Sequence, residues 1–162
     1  MIDEIMKRLY RIVVPLPNSP LKDLNSYVIK GEDRNLIIDT GFNRSVCYEA
    51  MQRGVAQLGI DLNKTDFMLT HMHADHTGLV SRLASETSRI FFSRIDSRVF
   101  DDDKSWQPLV DFAEINGFPS VELQKALDSH PGFKYSPKKK PEFTLIDDGD
   151  VIECGGYRLQ CI

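Results

Sequence analysis

THMHADHTG, residues 70–78, holds three of the chain's four histidines, His71, His73 and His76, together with Asp75 in the pattern H-x-H-x-D-H. With four His in 162 residues and Asp at about one in ten, a chance match somewhere in the chain is on the order of two in ten thousand. Imidazole nitrogen and carboxylate oxygen are the donors that borderline metals such as zinc prefer. Two histidines two apart on an extended loop point to the same side and can grip one ion. Asp75 and His76 follow where the chain turns toward the next helix, so they can present to a second position a few ångströms away. Asp75 could also cap that helix.

Outward from the motif the chain alternates. DFMLT at 66–70 is a short apolar run leading directly into the histidines, which predicts a loop after a buried strand. Upstream, residues 9–16 and 25–30 are rich in Val, Ile and Tyr and flank PNSPLKD, predicting two strands joined by a loop. NLIID at 35–39 is a third strand after the turn GEDR. Val46, Ala50, Met51, Val55 and Leu58 then recur at helical spacing, with Gly59 as a stop. Downstream, residues 79–84 predict a short helix and RIFFS at 89–93 another strand. Strands alternating with helices predict an α/β layered domain.

Residues 96–141 read as a helical insertion. Pro108 lies near one helix start, and Ser120 is a candidate N-cap for another. Asp148-Gly149 and Gly155-Gly156 mark turns between strands expected at 143–146, 150–154 and 157–162. Trp106, Phe112 and Phe118 are expected to pack the insertion onto the body, or else to line a substrate pocket. Asp101 to Asp103 and Lys138 to Lys140 read as solvated charge runs. His130, in DSHPG, reads as a helix-end residue favoured by the dipole.

Twenty Lys and Arg against 24 Asp and Glu give a formal charge of −4, which offers no electrostatic reason for binding nucleic acid or an anionic membrane. The expected partner is a small molecule or another protein. Three cysteines without paired spacing point to a reducing compartment. The N-terminal residues carry acids where a signal peptide needs bases, and no apolar run approaches the roughly 18 residues of a spanning helix. A cytoplasmic location is expected.

THMHADHTG resembles the H-x-H-x-D-H signature of the metallo-β-lactamase superfamily. IIDTG at 37–41 is similar to that family's upstream Asp motif, and DGDVIECGGYRLQCI at 148–162 to the strand pair before its next metal-binding loop. The resemblance implies an αββα sandwich, of which residues 1–162 form the N-terminal part, interrupted by the helical insertion. It implies a glyoxalase II- or lactonase-like hydrolase acting on a small-molecule ester, thioester or lactone through a metal-bound hydroxide. His71 and His73 would bind the first metal and Asp75 and His76 the second. Zinc is expected, with iron or manganese as alternatives. Asp75 would also orient the nucleophile, and Asp39 would support the site from behind a ligating imidazole. Asp39 read by itself could instead be a turn residue bonding its own backbone.

The same resemblance calls for a third His, a bridging Asp and a further His beyond Ile162. The expectation is therefore weak metal binding and little activity from these 162 residues alone, with hydrolase activity in the intact protein. An incomplete sandwich would also expose the inner face of its sheet, favouring a homodimer or other association through that face. Phosphodiester hydrolysis and di-iron redox chemistry on the same fold are alternatives. The acidic charge argues against the first, and a histidine at position 73, where such redox proteins favour Glu, against the second. A non-catalytic interaction module is a further alternative.

Overall fold

β4, Asn35–Ile38, and β5, Thr65–Leu69, lie side by side and parallel within a seven-stranded sheet, and both are short apolar runs that the sheet buries. The computed structural model describes residues 1–100 and 107–162. Asp101 to Asp103 and Trp106 lie outside the described residues. The strands follow chain order: β1 (Ile2–Met6), β2 (Leu9–Pro15), β3 (Asp23–Ile29), β4, β5, β6 (Ile90–Ser93) and β7 (Thr144–Ile146). The first four pair antiparallel because their connections are short turns. From β4 to β7 the pairs are parallel, because each connection carries helices that return the chain to the same end.

Those helices are α1 (Ser45–Gln57), α2 (Ala74–Thr77), α3 (Val80–Leu83) and, between β6 and β7, α4 (Arg94–Ser97), α5 (Gln107–Ile115), α6 (Ser120–Ser129) and α7 (Pro131–Tyr135). The alternation of strand side chains sorts the core into two faces. Ile37, Phe67, Leu69, Ile90 and Phe92 pack with Cys47, Met51 and Val55 of α1 and with Leu79, Val80 and Leu83. Leu36 and Phe91 turn to the other face. There Ile152 of a separate hairpin, β8 (Val151–Cys154) with β9 (Tyr157–Gln160), lies over them together with Cys154, Tyr157 and Leu159.

That hairpin changes one expectation. The inner face is not laid bare: Leu36 is 1% exposed and Phe91 8%, while Ile38 and Met68 are half-buried. β7 also pairs with β6 and not with β8, so the turn at Asp148-Gly149 carries the chain from one sheet to the other. In the insertion, Ser120 is the first residue of α6 and Pro119 occupies the cap position. Phe112 and Phe118 are largely exposed and do not pack the insertion down. Phe100 does so instead, meeting Phe92 and Phe143 with ring centroids 5.9 and 5.5 Å away. No described helix is long and apolar enough to cross a membrane.

Candidate metal centre

The carboxyl ends of β4 and β5 open side by side, the position where ligands bind in parallel α/β sheets. Asp39 follows β4 directly, and residues 70–76 follow β5. Asp39 is buried with φ of 60°, a left-handed conformation that Asp tolerates better than most residues, and Ser26 Oγ donates to its carbonyl at 2.7 Å. Two residues on, Gly41 has φ of 107°, and a Cβ there would lie 2.8 Å from Val14 Cγ1. The bend therefore requires glycine.

The bend delivers the Asp39 carboxylate to the next loop. Oδ1 accepts the Thr70 N–H at 2.9 Å, and Oδ2 accepts the Thr70 hydroxyl at 2.8 Å and meets His76 Nδ1 at 2.7 Å. Thr70 Oγ1 also lies 3.0 Å from His71 Nδ1. With the hydroxyl proton given to Asp39, Oγ1 is an acceptor for His71 Nδ1–H. The carboxylate likewise takes His76 Nδ1–H. One carboxylate and one hydroxyl thus assign the same tautomer to both rings, leaving each Nε2 with a free lone pair.

The four candidate donors then fall into two pairs. His71 Nε2 lies 3.1 Å from His73 Nδ1, and His76 Nε2 lies 3.5 Å from Asp75 Oδ2. Two ligands at about 2.0–2.1 Å from one tetrahedral zinc are about 3.3 Å apart, so both pairs have the separation of two ligands on one ion. The rings of His71 and His76 approach to 3.9 Å between centroids, which keeps the two pairs adjacent. The donor types and spacings fit zinc, two donors to each position. Among the described residues no group of three or more His, Cys, Asp or Glu is gathered to hold a metal ion.

Electrostatics separates the rings. Burial, followed by the neighbouring His76 and His73, lowers the pKa of His71 and favours its neutral, ligating form. Burial also opposes charge on His76, but the Asp39 hydrogen bond and the charges of Asp39 and Asp75 outweigh it and raise the pKa.

The loop is fixed from several sides. Thr40 N–H and Oγ1 both donate to the His76 carbonyl, at 2.9 and 2.8 Å, and Leu79 N–H donates to the Gly41 carbonyl at 3.1 Å. Asp96 Oδ2 accepts the Met72 N–H at 3.0 Å between the two paired histidines. Thr70 and Asp96 were not singled out by sequence reasoning. Thr70 adjoins the motif and could have been found there, whereas Asp96 is brought in by tertiary structure alone. Asp75 lies in the first turn of α2 with His73 at the cap position, so the capping role expected for Asp75 is not taken up. His130 ends α6 and caps α7, its Nδ1 accepting the Gly132 N–H at 3.1 Å, apart from the four-donor group. It lines the same cleft as His73 and Asp75, a cavity of about 610 Å³.

Comparisons with known proteins bear on the family and the fold. Residues 21–159 match the family model of the metallo-beta-lactamase superfamily. A metallo-beta-lactamase family protein from Thermus thermophilus has a similar structure, with a TM-score of 0.76 at 23% identity over 97% of this chain and 52% of that one. A beta-lactamase domain protein from Burkholderia ambifaria gives 0.74 at 16% identity over 98% and 48%. Among curated proteins, an atrochrysone carboxyl ACP thioesterase from Aspergillus novofumigatus is 29% identical over 113 residues, 68% of this chain and 33% of that protein. The chain thus spans about a third of the curated relative's length and about half of the structural neighbours'.

Proposed function

Because the chain belongs to the metallo-β-lactamase superfamily, we propose that it carries half of the metal centre of a zinc-dependent hydrolase acting on a small-molecule ester, thioester or lactone. The observation that carries this reading is the pairing of donors, His71 Nε2 with His73 Nδ1 and His76 Nε2 with Asp75 Oδ2, each at the separation of two ligands on one ion. The thioesterase among the relatives favours an acyl thioester.

His71 and His73 would hold one ion, and Asp75 and His76 the other. A bound zinc ion supplies Lewis acidity that polarises a carbonyl and brings the pKa of a water down toward about 7. The chain's own residues prepare for it. Asp39 and Thr70 keep both Nε2 atoms unprotonated, and Asp39 can take up positive charge that develops on the His76 ring. The Asp75 carboxylate, beside His76 Nε2, is placed to accept a proton hydrogen bond from an attacking water and so orient it. Asp96 fixes the backbone between the two histidines of the first pair. Two protein donors per ion are fewer than the three or four usual for zinc, so binding by these residues alone is weak.

Hydrolysis of a simple acyl thioester with and without added zinc tests the reading. Slow turnover that requires zinc and disappears in a His71→Ala, His73→Ala double variant is expected. Turnover that survives both chelation and the double variant would contradict it.

A further inference from the structure

We infer that Asp96 is a positioning residue for the first donor pair alone, acting on His71 and His73 through the backbone between them and leaving the Asp75 and His76 pair untouched; this rests on the donor pairs of the metal-hydrolase reading above and adds a residue from outside the motif. Asp96 lies in the first turn of α4, which leaves the sheet directly after β6. Its Oδ2 accepts the Met72 N–H at 3.0 Å.

Two observations carry the inference. The first is how little else holds this stretch. Among the described residues, Met72 has the only backbone N–H of residues 71–73 with an acceptor. The peptide that carries it joins His71 to Met72, so its orientation sets the direction in which the chain leaves one histidine and approaches the next. The 3.1 Å separation of His71 Nε2 from His73 Nδ1 depends on that direction. A carboxylate acceptor makes the bond stronger than a neutral one would. The second pair is held by other groups: Asp39 grips the His76 ring, and Thr40 N–H and Oγ1 both donate to the His76 carbonyl. Asp75 and His76 also stand in α2, whose own hydrogen bonds fix their backbone. Removing Asp96 therefore loosens one pair and not the other.

The second observation is that α4 is itself anchored. Ser93 Oγ accepts the Ile95 N–H, and buried Ser97 donates its hydroxyl to the Arg94 carbonyl at 2.9 Å. The Arg94 guanidinium meets both carboxylate oxygens of Asp147, just past β7, at 2.8 to 3.0 Å. A carboxylate tied in this way to the ends of both β6 and β7 is a fixed partner for the histidine loop.

Zinc titration followed on the individual histidine ring signals by NMR tests this with Asp96→Ala and with Asp96→Asn, whose side-chain oxygen can still accept the Met72 N–H. In Asp96→Ala the His71 and His73 signals are expected to respond at about tenfold higher zinc, while His76 follows the curve of the unaltered protein. Asp96→Asn should restore the first pair to within about threefold, because the bond survives without its charge. A residue that merely supported the fold would shift all three rings together. In metal-free protein, a nuclear Overhauser contact between the His71 and His73 rings and slow exchange of the Met72 amide should be present in the unaltered protein and in Asp96→Asn, and lost in Asp96→Ala. Three rings weakened alike, Asp96→Asn as impaired as Asp96→Ala, or a ring contact absent from the unaltered protein or surviving in Asp96→Ala would overturn the inference. The metal-free measurements need no ion, so a failure of zinc binding would refute the metal reading and leave them to decide the role of Asp96.

Discussion

Asp39 does three things from one position: it turns the backbone through a left-handed conformation, anchors Thr70 and holds His76. Sequence reasoning could name it, because a strand ending in Asp-Thr-Gly stands out, but could not choose between a turn former and a support for a ligand. The 2.7 Å contact with His76 shows the side chain spent on the ring and on Thr70. Asp39→Asn keeps the shape and tolerates the left-handed backbone while removing the charge. Its expected effect is a 10- to 100-fold loss of zinc affinity, read by calorimetry. The His76 pKa, measured by NMR titration of the metal-free protein, should fall below the ordinary histidine value, because without Asp39 only the smaller effect of the Asp75 charge opposes the lowering by burial. Thr70→Val removes the hydroxyl between Asp39 and His71 without changing the ring count. It should weaken the His71–His73 pair in the same assay while leaving the fold intact.

The elements most legible in the sequence were those buried on a regular period. β4, β5, β6 and α1 formed where apolar spacing placed them, because each presents a continuous face to one core. β1 was not read, because Asp3 and Glu4 interrupt its apolar pattern, and an edge strand with one neighbour needs only a half-buried face. The packing between elements was not legible at all. Gly78 lies where α2, α7 and the loop before α1 meet, and a Cβ there would be 2.5 Å from the Ala74 and Tyr135 carbonyl oxygens and 2.6 Å from Asn43 N. All three are backbone atoms that cannot swing aside. Gly78→Ala should therefore destabilise the protein by about 2–3 kcal/mol in urea unfolding. At the opposite end of the sheet, buried Asp66 of β5 accepts hydrogen bonds from Arg34 and Arg89 and ties the start of β4 to β6. Burial pushes its pKa up, but the two arginines together pull it further down, so the net shift is downward. A carboxylate with a depressed folded pKa contributes stability in full above its unfolded value near 3.9, and that stability is lost as the pH falls through the folded value. Asp66→Asn should cost about 2–3 kcal/mol at neutral pH and flatten the loss of stability below about pH 4, measured by denaturation across the pH series.

At the scale of the whole molecule, the sheet and its crossovers bring Asp39 and the histidine loop together at one end, beside a cleft walled partly by the insertion. That His71, His73, Asp75 and His76 lie together was readable from nine residues, because spacing on a loop after a strand is a local property. The cover over the second face was not, since Ile152 meets Leu36 and Phe91 only through long-range folding. Nor were the cleft walls, where the aromatics among the described residues are Phe42, Phe100 and Phe133 and not the Phe112 and Phe118 that composition suggested. If the two donor pairs bind metal, zinc also stabilises the fold by mass action, by about 2.7 kcal/mol at a free concentration 100 times its Kd, which thermal melts at rising zinc would record. The most direct measurement is a calorimetric zinc titration of the unaltered protein beside the His71→Ala, His73→Ala double variant. Saturable binding that weakens at least tenfold in the variant is the predicted result; absence of binding, or equal affinity in the two proteins, would contradict the assignment of these residues as metal ligands.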